Sequence, residues 1–191
     1  DNRTVLMGDD YTNGGMFMFV ADVEKDLSAG TLYAAKVTQA AGTPQDPNGG
    51  TFTIQWIKLG RASSDEIEQL ANTKTVDQII DVKYTDPVDS TNYKPVALDG
   101  NRVHWVKVLD AKAAAFLETH RYANYVGATM EFTKFEGVAL NAKDKVAYIA
   151  MSRLEKSMSV SADPTASTDI DVKKVSAGAV YALTLSGNQT E

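Results

Sequence analysis

Lys134-Phe135-Glu136-Gly137 brings an ammonium and a carboxylate to positions two residues apart, just ahead of an alternating apolar run. On a strand, residues two apart point to the same face. A Glu directly before a Gly at a strand start suits a carboxylate aimed into a central funnel, where it would hold a metal. A second oxygen-donor pair, Asp9 and Asp10, lies in a Gly-flanked loop. Hard cations such as calcium take clustered carboxylates and carbonyls. Each pair also has an ordinary reading: Glu136 as the surface partner of Lys134, and Asp9-Asp10 as an Asx-turn.

The elements that must position these residues are mainly strands. Val138–Leu140 and Val146–Met151 alternate around Asn141-Ala142-Lys143-Asp144 and read as a β-hairpin. Strict alternation puts Val138 and Leu140 on the face of Glu136, so the strand is expected to pass from funnel to core, with Gly137 permitting a bulge. Four strands are expected before it, near Thr4–Met7, Gly15–Ala21, Thr31–Thr38 and Thr51–Leu59. The turns between them are residues 8–14, Lys25–Gly30, and Gly42–Gly50 with Pro44 and Pro47. Ser63-Ser64-Asp65-Glu66 and Thr75-Val76-Asp77-Gln78 are capping-box patterns, which predict two short helices across Ser64–Ile80. Lys83–Gly100 is expected to be a loop, broken by Pro87 and Pro95. Val103–Val108 reads as a strand, Ala111–Tyr125 as one helix capped by Asp110, Ser157–Lys174 as a polar loop and Gly178–Leu185 as a last strand.

The fold class expected is therefore mainly β: antiparallel, blade-like meanders of a partial β-propeller with a helical insertion. The units are 1–60, a four-stranded blade; 61–128, mostly helical; and 129–191, a second, incomplete blade. A closed propeller needs about four to eight blades, so the chain reads as one fragment of a larger propeller.

Composition narrows the partners. The chain has 191 residues, 43% of them apolar, a formal charge of −6 and no cysteine. The acidic balance argues against nucleic acid as a partner, because phosphate backbones call for basic patches. No apolar run approaches the 18 or so residues of a membrane span, so membrane insertion is not expected. Without cysteine there is no disulfide and no thiolate ligand within the chain. The strand-like opening, Thr4-Val5-Leu6, reads as the start of a trimmed or excised piece with no signal peptide. His104 and His120 have no spacing that supports a metal pair or a Ser/His/Asp triad; His120 falls on a buried-looking helix face. Trp56, Trp105, Phe17 and Phe19 are most simply core. Asp163, Asp169 and Asp171 read as a solvated loop.

Met7-Gly8-Asp9-Asp10, Met18-Phe19-Val20-Ala21-Asp22, residues 26–36 ending Gly30-Thr31-Leu32-Tyr33-Ala34-Ala35-Lys36, residues 127–138 and Gly178-Ala179-Val180-Tyr181 together resemble the middle of a PhoX-type alkaline phosphatase, in order along nearly the whole chain. The resemblance implies a bacterial β-propeller, periplasmic or secreted, that hydrolyses phosphate esters with calcium and iron in its funnel. It implies Glu136 as a metal ligand, Asp9 and Asp10 as further candidates, and Lys134 as the phosphate-facing catalytic cation. The partners implied are a phosphate-ester substrate and the remaining blades of the same protein. The sequence departs from the family in three places. It lacks the upstream Cys segment, it has Lys134-Phe135-Glu136 where many members have Arg-Pro-Glu, and it has Thr12-Asn13-Gly14-Gly15 where many carry an acidic residue. Lys keeps the charge of Arg and loses its bidentate fork. These losses leave a rival reading, a non-catalytic, calcium-stabilised β-propeller module for binding or structure.

Overall fold

A computed structural model describes residues 2–40, 49–88, 91–98, 102–159 and 169–186. The expected Pro44, Pro47, Asp163 and polar tail lie outside the described residues. Strand makes up 48% of the structure, in three antiparallel sheets, which bears out the mainly β expectation. Among the described residues no closed sheet is formed.

The first sheet is a meander of β1 (Thr4–Gly8), β2 (Met16–Val23), β3 (Asp26–Gln39) and β4 (Phe52–Ser63), in that order. β3 begins at Asp26, not after Gly30: the reversal is confined to Glu24-Lys25, where Lys25 takes φ 63°. The expected six-residue turn was read from its polar and small residues. Pairing of Ala29 and Gly30 with Ser63 and Ala62 draws them into the strand instead.

Residues in this sheet alternate between two cores, as a period of two requires. Met16, Ala35 and Val37 face one core; Phe17, Ala34 and Leu59 face the other. The first core is closed by the third sheet, formed by β8 (Phe135–Asn141), β9 (Val146–Met151) and β10 (Ala179–Thr184), which contributes Phe135, Ile149 and Met151. The second core is closed by Ala115 and Phe116 of α3 (Ala111–Leu117) and by Ala123 and Tyr122 of α4 (Thr119–Tyr125).

Between these lie α1 (Ser64–Thr73) and α2 (Val76–Ile79), the two short helices expected from the capping boxes. Ser63 Oγ accepts from Glu66 N, and Glu66 Oε2 accepts from Ser63 N. The rest of the insertion is less helical than expected. β5 (Ile80–Lys83), β6 (Lys94–Leu98) and β7 (Arg102–Val108) form a sheet in the order β5-β7-β6. Pro95 sits in β6, an edge strand, where a missing N–H costs no ladder bond; this is why Lys83–Gly100 is not wholly loop. Ala113 and Ala114 pack α3 on that sheet, so small alanines let one helix pack between two sheets.

The expected single helix over Ala111–Tyr125 breaks at Glu118, which has φ −130° and ψ 39°. Thr119 Oγ1 donates back to Ala115 O at 2.7 Å, a bond that bends helices.

Residues 128–135 cross between the layers with nearly every side chain buried. Thr129 N donates to Ala35 O, and Thr129 Oγ1 accepts from Val37 N. Phe132 and Gly14 exchange backbone bonds. Glu131, 2% exposed, accepts from Asp169 N and Ile170 N. Asp169 in turn binds Lys36 at 2.5 Å and accepts from Thr129 Oγ1. Residues 169–172 are thus packed, with Ile170 and Val172 fully buried, and do not form the solvated loop expected.

Gly8 lies under this segment. A Cβ there would stand 2.2 Å from the Phe135 ring. Gly8→Ala is expected to lower stability by about 1–3 kcal/mol through overpacking, whereas Gly137→Ala, whose Cβ would meet only Ala150 at 3.7 Å, should lie within about 0.5 kcal/mol of the parent. Urea unfolding midpoints of the two variants check this; equal midpoints would show that Phe135 moves aside freely.

Candidate functional site

Lys134 has a left-handed backbone, φ 51°, at the point where the buried segment enters β8. Its N–H donates to Tyr11 O at 3.0 Å and its carbonyl accepts from Ser152 N at 3.0 Å. These two bonds fasten it to the β1–β2 loop on one side and to the end of β9 on the other. The turn sends Phe135 into the core and leaves the Lys134 side chain on the rim.

The ladder of β8 then slips. Phe135 pairs with Met151, but Gly137 pairs with Ala150, so Glu136 is the extra residue of a β-bulge. This bears out the bulge expected at Gly137 and corrects its consequence. A bulge inverts the alternation after it. Val138 and Leu140 therefore share the sheet face of Phe135, not that of Glu136, as their pairing with Ile149 and Ala147 shows. Glu136 points outward and edges an open cleft of about 350 Å³ with Ser152, Gly178 and Val180.

Lys134 Nζ binds Asp10 Oδ1 and lies 3.3 Å from Glu136 Oε1. Glu136 Oε1 also accepts from Ser152 Oγ at 2.6 Å. Three of the four expected site residues, Asp10, Lys134 and Glu136, thus converge from two separated segments, and Ser152 joins them from a third. Asp10 first, then Glu136, raises the Lys134 ammonium above the ordinary lysine range, so the cation persists. Ion pairs this exposed add little to folding; the backbone bonds of Lys134 hold the cluster in place.

Asp9 turns away from the others. Its Oδ2 accepts from Gly15 N at 3.1 Å and lies 3.4 Å from His120 Nδ1. Burial acts to raise its carboxyl, but the bonds to His120 and Gly15 and the charge of His120 outweigh this and hold it below the ordinary Asp range. His120 is accordingly half-buried against a carboxylate instead of being packed in an apolar core. Its partnership with Asp9 spans 111 positions, and helical spacing carries no sign of it.

The residues do not by themselves fit calcium or iron. Calcium takes about six to eight oxygens. Here the three candidate carboxylates are divided, one toward an imidazole and two around an ammonium that already supplies their positive charge. Among the described residues, no group of three or more His, Asp or Glu is placed to hold a metal ion.

Comparison of the chain with protein-family models, with curated proteins and with solved structures finds no match. Among the described residues, no helix is long and apolar enough to cross a membrane.

Because the folded-state carboxyl of Asp9 is depressed, its contribution to stability is full above the ordinary carboxylate range, about pH 4, and is lost as pH falls through the lower folded value. Asp9→Asn should therefore flatten the acid limb: between about pH 5 and 3 its melting temperature should fall less than that of the parent. Parallel melting curves would show that the Asp9–His120 contact does not couple to folding.

Proposed function

We propose that this chain carries one wall of a phosphate-ester-hydrolysing site of the PhoX alkaline phosphatase kind. In this reading the two outer sheets are blades of a propeller whose remaining blades complete the funnel, and the protein acts in the periplasm or outside the cell. The observation behind it is the convergence of Asp10, Lys134, Glu136 and Ser152 on one exposed rim. A bulge and a left-handed residue, both departures from regular strand, create that rim. Such departures collect where side chains must be re-aimed for function. Lys134 would meet the phosphate and stabilise the negative charge that grows on its oxygens. Asp10 and Glu136 hold the ammonium at this place.

The charge balance limits what the chain does by itself. Asp10, Lys134 and Glu136 sum to −1, which repels a phosphate dianion. The reading therefore requires positive charge from the rest of the protein, which the resemblance attributes to calcium and iron.

The rival reading, a non-catalytic propeller module, has one observation in its favour. Lys134 already satisfies both carboxylates, as a structural ion pair would.

In the protein with its full set of blades, Glu136→Gln should loosen the hold on the Lys134 ammonium and lower p-nitrophenyl phosphate turnover while leaving the melting temperature within a few degrees. Lys134→Gln should lower kcat/KM by about tenfold or more through loss of a charge-assisted contact. Unchanged turnover in both variants, with lowered melting temperatures, would make the cluster a structural ion pair and favour the module.

A further inference from the structure

Among the described residues the first sheet has four strands and the third, which packs against it, has three. β8 lies against β1, where a Cβ on Gly8 would strike the Phe135 ring. The shortfall of one strand therefore falls on the far side, beyond β10 and beside β4. Two observations meet there. The first is an open edge. Leu185 N donates to Lys145 O, and in an antiparallel pair such bonds fall on alternate residues. The odd-numbered residues of β10 thus bond β9, and Val180, Ala182 and Thr184 turn their N–H and C=O groups away from it. Among the described residues, none bonds these groups. Edges are ordinarily guarded by charge, proline or a bulge. Residues 178–186 carry no charge and no proline, and the β9–β10 register is unbroken.

The second observation is a cavity of about 300 Å³ between β10 and β4. Phe52, Ile54, Ile149 and Met151 line it, together with four consecutive residues of β10, Val180 to Leu183. Consecutive strand residues point to opposite faces, so a cavity that touches all four runs along the edge of the strand. Protein interiors are close-packed, with few voids larger than a water molecule. The first core is thus left unfilled beside the one strand edge that faces it.

We propose that β10 is a peptide-binding edge, to which one extended segment of a partner protein adds as a fourth strand. In such strand addition the backbone bonds give affinity and pockets for alternate side chains give specificity. Here the backbone of the segment bonds Val180, Ala182 and Thr184, and its apolar side chains, at every second position, fill the cavity. The apolar lining and the uncharged edge suit inward side chains without charge. A second copy of the chain paired through β10 would bring its own four-stranded sheet to a place where only one strand is missing. The inference does not depend on the hydrolase reading.

The test is a titration of the chain, followed by ¹H–¹⁵N NMR, with a short peptide of alternating valine and threonine flanked by lysines. It should produce saturable shifts along β10 and at Phe52 and Ile54. A peptide of the same composition with its valines grouped together should not. Of two further peptides, one N-methylated on its valines and one on its threonines, only one should bind, because only one keeps the N–H groups that face β10. Ala182→Pro removes the middle edge donor and no bond to β9, so the spectrum should stay dispersed and binding should weaken about tenfold. Should that variant unfold, the two N-methylated peptides still decide. Absence of saturation, or equal binding of the grouped peptide or of both N-methylated peptides, would each overturn the proposal. So would a dimer in sedimentation that Ala182→Pro dissolves and the alternating peptide leaves intact.

Discussion

A buried chain segment must still satisfy its polar groups, and residues 128–135 meet this constraint by binding every layer they cross. The segment runs through the interior carrying Thr129, Glu131 and Thr133, each less than 3% exposed. Thr129 ties it to β3, Phe132 to the β1–β2 loop, and Thr133 to Arg153 O at 3.0 Å. Glu131 takes two backbone N–H groups from residues 169–170. Left unbonded, each of these buried groups would cost roughly 1–3 kcal/mol. Together they select one relative placement of the first and third sheets, which apolar contact alone, being non-directional, does not do.

The candidate site is the exposed end of that segment. Lys134 is its first side chain to reach the rim, and its backbone is held at both sides before its ammonium makes any contact. The adjacent acids Asp9 and Asp10 then serve two different places. Asp10 neutralises Lys134, and Asp9 faces His120 on α4. One short loop thus bonds both to the Lys134 rim and to α4. A substitution in residues 9–11 is therefore felt on both sides.

Much of this was legible in the sequence because it is written locally. The capping boxes at Ser63 and Thr75, the Asn141–Asp144 reversal and the alternation of β2, β4 and β9 each depend on neighbours a few residues apart. Asn141 Oδ1 accepts from Asp144 N three residues on, a local side-chain bond that a sequence displays openly. The nearness of Lys134 to Glu136 was legible for the same reason. What was hidden depends on distant partners. Pro95 looked like a breaker because its edge position is set by β7. Asp26–Gly30 looked like a turn because β4 supplies its pairing. Asp169 looked solvated because Glu131, Lys36 and Thr129 are remote in sequence. The face taken by Val138 and Leu140 hinged on one slipped ladder pair, and a slip of one residue reverses every side chain after it.

The account rests on the segment 128–135 being a fixed part of the core, and native-state hydrogen exchange measures that directly. The amides of Thr129, Phe132, Lys134 and Ser152, and those of Asp169 and Ile170 that bind Glu131, should exchange only through global unfolding, with the same opening free energy as the central strands β2 and β3. Exchange of these amides at the rate of an open loop, while β2 and β3 stay protected, would contradict the account and leave the placement of Lys134 and Glu136 without a support.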